Sequence, residues 1–437
     1  MLKGKTVAPL TLGCKVNQYE TDGMIELLKE AGMTAVSFEE KADVYLINTC
    51  SVTNMADKKS RQMIHRAKKL NPDAVVIAAG CYVQAAKDKL MEDDRISIII
   101  GNNKKKDIVQ ILEDYLEIGV TDEGMLDIAA EKEYEPLTIN STLEHTRAYV
   151  KIQDGCNQFC SYCIIPYVRG RIRSRELASI TEEVERLAQT GVKEIVLTGI
   201  HISSYGKDKE NEVGLADVID AISKIESIER IRLGSLEPGI ITDTFIDRIV
   251  DNKKVCPHFH LSLQSGCNTV LKRMNRKYTC EEYFEKCEIL RKAFDRPALT
   301  TDVIVGFPGE TDEEFQETVD YLTKLNLYEM HIFKFSPRQG TVAAGMRDQI
   351  GPEIKNQRSD VLLALSEKNK HAYEASFRGE TLEVLIEEKV RRNGKDGYRG
   401  HTERYIDIFV EEECMHRICG REVDIINHIV QIPYGME

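Results

Sequence analysis

The chain reads as an α/β protein in three parts: a doubly wound, parallel-sheet domain over 1–135, a partial (βα)6 barrel over 142–372 and a small OB-like β-barrel over 375–437. Three observations lead there. The first hundred residues alternate short apolar runs with helical stretches, the rhythm of strands joined by helical crossovers. From Arg147 onward six more strand-like runs are separated by helical patterns. Beyond Gly379 the rhythm shortens to alternating strands with polar turns.

Taken in order, the runs Val7 to Leu12, Val44 to Ile47 and Ala74 to Ala79 each lead into a cysteine: Cys14, Cys50 and Cys81. The carboxyl ends of strands in an open α/β sheet share one edge, so these cysteines can converge although they are far apart in sequence. Residues 102–146 are polar and read as a last helix plus a linker. The barrel strands are expected at 147–152, 194–198, 229–234, 258–263, 298–305 and 328–335. Six units are too few to close an eight-stranded barrel, so an open one is expected, with its site at the strand ends and following loops. Pro352 to Phe377 is a long amphipathic helix that Gly379 ends. Strands are then expected at Leu382 to Ile386, Tyr398 to Gly400, Tyr405 to Val410, Glu422 to Ile426 and Ile429 to Ile432.

Composition narrows the class. The 437 residues, 42% of them hydrophobic, suffice for several domains, each with its own core. No start like a signal peptide and no run of eighteen apolar residues occurs, so a cytoplasmic protein without membrane spans is expected. In that reducing compartment, twelve cysteines point to thiolate and metal chemistry rather than disulfides. The net charge of −13 argues against generic nucleic-acid binding and leaves RNA contact to local basic patches. The densest of these is Arg169-Gly170-Arg171-Ile172-Arg173-Ser174-Arg175. Others are Lys104 to Lys106, Lys272 with Arg273, Arg276 with Lys277, and Arg391 with Arg392 and Lys395.

The most informative pattern follows the first barrel strand: Cys156, Cys160 and Cys163, a CxxxCxxC loop. Cubane iron-sulfur clusters normally take four thiolates, so a trio leaves one iron open to another ligand. A zinc knuckle would need a fourth Cys or His nearby, and none lies within a short window. Cys256, Cys267, Cys280, Cys287, Cys414 and Cys419 fit no such pattern and read as small buried side chains.

On these residues the chain resembles the radical S-adenosylmethionine (SAM) methylthiotransferases over essentially its whole length. Leu12-Gly13-Cys14-Lys15-Val16-Asn17, Asn48-Thr49-Cys50 and Gly80-Cys81 are similar to the three cysteine motifs of the family's amino-terminal domain. Gly155-Cys156 through Cys163-Ile164-Ile165-Pro166 is similar to its SAM-cluster loop, and the tail to its TRAM domain. Gly13 to Gln18 and Thr198-Gly199-Ile200-His201 most resemble the MtaB-like branch, which modifies threonylcarbamoyladenosine beside the anticodon of transfer RNA. The resemblance implies a SAM-binding 4Fe-4S cluster on Cys156, Cys160 and Cys163 and an auxiliary 4Fe-4S cluster on Cys14, Cys50 and Cys81. It also implies radical methylthiolation of adenine C2, with an external electron donor and a sulfur source.

Other residues fall where the resemblance implies SAM contacts: Tyr162 inside the cysteine loop, Thr198 and Gly199 after the second strand, Ser235 and Glu237 after the third, Gln264 after the fourth, and Ile304 and Gly306 in the fifth. The base must be presented unstacked from the anticodon loop. Arg169, Arg171, Arg173 and Arg175 are placed to meet its phosphates, unless Asp and Glu pair them internally, and Arg391 and Arg392 could hold the RNA at a distance. Two alternatives keep the chemistry and change the substrate, to isopentenyladenosine in transfer RNA or to a ribosomal-protein aspartate. A third, of another class, is a noncatalytic iron-sulfur protein that binds RNA or senses redox state.

Overall fold

The computed structural model describes residues 1–119, 125–140, 146–210, 213–420 and 425–435. Strands β1 (Thr6–Thr11), β2 (Thr34–Ala35), β3 (Val44–Thr49), β4 (Val75–Gly80) and β5 (Ile98–Ile100) form one parallel sheet in the order β2-β1-β3-β4-β5. Helices cover both faces. Met24, Ile25, Leu28, Ile108 and Leu112 pack on one side, Ile64 and Ala67 on the other. The strand order reverses between β1 and β3, and at such a switch point the loops beyond the carboxyl ends part to leave a crevice. Cys14 follows β1 and Cys50 follows β3, so both stand at that crevice.

The six expected barrel strands are present as β6 (Arg147–Asp154), β8 (Glu194–Gly199), β9 (Arg230–Leu233), β10 (His258–His260), β11 (Ala298–Val305) and β12 (Glu329–Lys334). The two-residue β7 (Arg173–Ser174) pairs antiparallel with the end of β6. β6-β8-β9 and β10-β11-β12 are parallel, and the bridge from Leu236 to Leu261 joins the two groups into one open curve. Outward residues such as Val150, Ile152, Leu197, Ile231, Phe259, Leu261 and Val303 enter the largest apolar core. By the two-residue alternation of strands, Lys151, Glu194, Arg232, His260 and Asp302 face the lumen. That lumen is therefore polar.

The helix Pro352–Ala375 leads into the antiparallel sheet β15-β14-β13-β16, formed by β13 (Thr381–Arg392), β14 (Lys395–Thr402), β15 (Asp407–Glu411) and β16 (Ile429–Pro433). A bulge between Ile386 and Glu388 bends β13 around a core of Val384, Ile386, Ile406, Ile408 and Ile432. β13 runs further than expected because Asn393 and Gly394, at φ 52° and 82°, make a two-residue hairpin turn to Lys395.

Three expectations need correction. A helix, Glu412–Cys419, follows β15 where only strands were expected; Met415 seats it on the core. The strand expected at Glu422 to Ile426 falls partly on 421–424, outside the described residues, and Ile425 to His428 form a turn. The stretch read as a linker is, over 125–140, a strap with Ile128, Leu137 and Ile139 buried and the Tyr19 hydroxyl donating to the Leu137 carbonyl. Its polar composition concealed those three anchors. The expected boundary at 142 lies outside the described residues.

Candidate active site

The first thiol trio is built by the switch point. Gly13, at φ 113°, turns the chain from β1 into the helix Lys15–Glu30, and a Cβ there would lie 3.0 Å from the Cys50 sulfur. Only glycine allows both the turn and the approach. Cys14 caps that helix and is exposed; Cys50 and Cys81 are buried. The Asn17 amide fastens the strand ends by donating to the Leu12 carbonyl at 2.7 Å and the Thr49 carbonyl at 3.0 Å.

The second trio lies on the loop after β6. Gly155 is forced here too: a Cβ would come within 1.8 Å of the Arg171 carbonyl. The Cys156 amide donates to the Gly170 carbonyl, and the Ser161 amide to the Met274 carbonyl, which pins the loop to the barrel. Arg276 donates through Nη1 to the Cys160 sulfur at 3.1 Å and through Nη2 to both oxygens of Glu237. Glu237 also lies 3.4 Å from His201 Nε2. Burial pushes its carboxyl up, but His201 and Arg276 outweigh that and hold it below its ordinary value.

One side chain ties the first trio to Asp154, the end of the strand that leads into the second. Arg169, fully buried, donates through Nε to the Cys81 sulfur at 3.2 Å, through Nη2 to the Asn17 oxygen at 2.7 Å, and through Nη1 to Glu20 and Asp154. Ile164 and Val168, just beyond Cys163, pack on Cys81. Lys105 and Lys151 reach Glu20 at 2.8 and 2.7 Å, and Arg173 lies 3.9 Å from Asp154. Burial opposes ionisation of Glu20; Arg169, Lys105 and Lys151 overcome it and hold the carboxyl well below the carboxylate range. Four buried cations thus meet three buried carboxylates, Glu20, Asp154 and, beside Lys105 and Lys151, Glu135, and two Arg173 nitrogens have no hydrogen-bond partner among the described residues. Positive charge is in excess beside Cys81.

This arrangement fits thiolate-bound clusters. Burial pushes the Cys50 and Cys156 thiols up to about 11 and the Cys163 thiol to about 12, so these thiols ionise only against added positive charge, which a metal centre supplies. Among the described residues, only His260, Asp302 and His331 bring three possible ligand atoms within 4.8 Å of one another.

The barrel residues singled out in the sequence fall along its carboxyl edge. Thr198 and Gly199 end β8, Ser235 and Glu237 follow β9, and Gln264 follows β10 at φ 78°. Ile304 and Tyr162 both pack against the cluster that contains Phe307 and Phe335. Gly306 has its amide committed to Glu310 at 2.7 Å. A cavity of about 620 Å³ opens beside this edge, lined by Gln158, His201, Glu237 and Tyr278 but by none of the six cysteines.

Three of the proposed phosphate contacts are corrected. Arg169, Arg173 and Arg175 are buried and internally bonded, Arg175 to Glu183 at 2.6 Å and to the Tyr19 hydroxyl at 3.0 Å. Only Arg171 of that run is exposed; Arg391 and Arg392 are exposed at the β13–β14 hairpin. Two members of other basic patches are also internal: Lys105 pairs with Glu20, and Arg276 serves Cys160. Sequence reasoning took them for surface charge because a basic run does not reveal which member turns inward.

The open barrel with its CxxxCxxC loop defines a radical SAM enzyme, and residues 150–322 match the Radical SAM superfamily model, while 6–101 match a family described as Uncharacterized protein family UPF0004. The threonylcarbamoyladenosine tRNA methylthiotransferase MtaB of Bacillus subtilis is 42% identical over 98% of this chain and 93% of its own. The tRNA-2-methylthio-N(6)-dimethylallyladenosine synthase of Thermoanaerobacter pseudethanolicus is 36% identical over 94% of this chain and 89% of its own. The structure of the radical SAM methyltransferase TsrM from Kitasatospora setae superposes with a TM-score of 0.57 at 15% identity, covering 78% of this chain and 77% of that one. The chain belongs to the radical SAM methylthiotransferases, so SAM and 4Fe-4S clusters are its cofactors.

Proposed function

We propose that this enzyme methylthiolates adenine C2 of N6-threonylcarbamoyladenosine next to the anticodon of transfer RNA, in the cytoplasm, drawing on an external electron donor and a sulfur source. The observation that carries the reading is that the two cysteine loops meet at the edges of two sheets: Ile164 and Val168, just beyond Cys163, pack on Cys81, and Arg169 holds both Cys81 and Asp154. The higher identity to the threonylcarbamoyladenosine enzyme favours that branch over the dimethylallyl one.

Cys156, Cys160 and Cys163 would hold the SAM-binding cluster, and Cys14, Cys50 and Cys81 the auxiliary one. When bound, the first supplies reductive cleavage of SAM and the second carries sulfur to the substrate. The chain's own part is positioning and charge. Arg276 directs an N–H at the Cys160 sulfur and Arg169 one at the Cys81 sulfur, which fixes where these sulfurs sit. Glu237, Thr198, Gly199, Ser235, Gln264, Ile304, Gly306 and Tyr162 would surround SAM at the barrel's carboxyl edge. Arg171, Arg391 and Arg392 would meet RNA phosphates. The division at 1–135, 142–372 and 375–437, with a TRAM module last, follows the same reading.

The test is nucleoside mass spectrometry of transfer RNA from cells with and without the protein. Loss of only the 2-methylthio form of threonylcarbamoyladenosine is expected; loss of the isopentenyl counterpart instead would move the enzyme to the other branch. Purified enzyme with Cys156→Ala should lose SAM cleavage and keep a cluster at Cys14, Cys50 and Cys81. Wild-type enzyme that is cluster-replete and reduced yet forms no deoxyadenosine would refute a catalytic role.

A further inference from the structure

The polar lumen of the open barrel is not used by either trio, and one cation stands in it alone. Lys15, next to Cys14, feels the charges of Arg147 on β6, Glu194 on β8 and Arg232 on β9, and acts in turn on His258 of β10 and His331 of β12. The helix that it opens, Lys15–Glu30, packs against β6 and β8. The Lys15 side chain is nevertheless exposed and has no hydrogen bond or ion pair among the described residues. The neighbouring carboxylates are committed elsewhere. Glu194 holds Arg232 through two contacts of 2.7 and 3.1 Å. Asp302 lies 3.3 Å from His260 Nε2 and 3.2 Å from His331 Nδ1. Glu387 is shared between Arg147 at 3.3 Å and His401 at 2.9 Å.

The lumen has a floor as well as walls. The Tyr405 ring, from the turn between β14 and β15, lies between Arg147 and Arg232 at 5.0 and 4.9 Å, stacked on His401. His260 and His331 stack at 5.5 Å along one wall, and His331 keeps its second ring nitrogen without a partner among the described residues. The result is a solvent-accessible polar recess beside Cys14 in which Lys15 is a cation without a hydrogen bond or ion pair among the described residues. An anion of small organic size, with hydroxyl or amide groups to meet imidazole, is the ligand that chemistry selects.

We propose that this recess is the subsite for an anionic amino-acid substituent on the substrate base, with the Lys15 ammonium pairing its carboxylate and His331 meeting its neutral polar groups. The proposal rests on the threonylcarbamoyladenosine reading and adds the specificity-determining residue. The substituent on N6 carries a carboxylate, a hydroxyl and a carbamoyl linkage. An isopentenyl group carries none of these and offers the Lys15 ammonium no partner to replace the water it would lose. The same lysine thus attracts one substrate and rejects the other.

The experiment uses cluster-replete full-length enzyme and anticodon stem-loop RNAs whose target adenosine carries threonylcarbamoyl either as the free acid or as its methyl ester. For wild type, KM for the ester should exceed that for the acid about tenfold or more, the range of a hydrogen bond to a charged group. Lys15→Met should show the same loss with the acid and little further loss with the ester, and Lys15→Arg should recover part of it. Equal KM for acid and ester in wild type overturns the subsite while leaving the reaction intact. Wild type that leaves the free-acid RNA unmodified overturns the functional reading and the subsite together. The acid-against-ester comparison needs no variant, so a poorly folded Lys15→Met does not blunt it.

Discussion

Arg169 shows how much one side chain can change meaning between sequence and structure. It sits in the most basic run of the chain, yet it is sealed between the two sheets and holds Glu20, Asp154, Asn17 and Cys81. Breaking a buried ion pair by removing one partner costs about 3–5 kcal/mol, far more than a surface arginine contributes. Arg169→Met should therefore lower unfolding free energy by about that amount in urea titrations and reduce bound iron. A loss below about 0.5 kcal/mol would mean the network is not under strain to stay charged. His331 offers a titration at the same scale. The hydrogen bond to Asp302 raises its pKa above the ordinary value despite burial pulling the other way. A raised folded value means the stabilisation is full below the ordinary pKa and is lost as pH rises through the folded one. In NMR titrations of wild type and Asp302→Asn, the His331 pKa should fall in the variant; an unchanged value would remove Asp302 as its cause.

At the level of elements, the turns decide what the strands deliver. The β13–β14 hairpin was legible in principle, since Asn-Gly between β-prone runs signals a two-residue turn, but its basic flanks drew attention to charge instead. Two glycines separate conformational need from crowding. Both Gly394 and Gly155 have positive φ, but a Cβ on Gly394 meets nothing within 4 Å, whereas one on Gly155 strikes the Arg171 carbonyl. Gly394→Ala should cost about 1–2 kcal/mol of backbone strain and spare the thiol loop. Gly155→Ala should displace the CxxxCxxC segment and abolish iron at that trio, read as half the iron of wild type by metal analysis. Equal thermal shifts for the two variants would contradict this account.

Across the whole molecule, the C-terminal sheet is tied to the barrel floor. Arg232 donates to the Glu403 and Thr402 carbonyls, and Arg230 to the His401 and Glu383 carbonyls. Arg338, beyond β12, crosses to Ser51 after β3 and to Asp57 in the first turn of the helix Asn54–Leu70, at 2.7 Å each. These links fix the sheets around a shared centre and leave the β13–β14 hairpin free to reach outward. Replacing Arg391 and Arg392 together with Ala should weaken RNA binding without regard to sequence and reduce the slope of log K against log salt by about 2. An unchanged slope would mean that the hairpin does not touch phosphate.

The sequence alone determined the strand rhythm, the strand-then-cysteine placement of Cys14, Cys50 and Cys81, and the CxxxCxxC loop, because each depends on local periodicity or spacing. Only the tertiary structure decided which charges are internal, that Arg169 ties Cys81 to Asp154, that Arg276 serves Cys160, and that Lys15 has no hydrogen bond or ion pair among the described residues. The sulfur contacts depend on distant partners: Arg169 is 88 residues from Cys81, and Arg276 is 116 from Cys160. A side chain's charge is written in its own residue type. Whether that charge faces water, a sulfur or an empty recess is settled by which strands the fold sets around it.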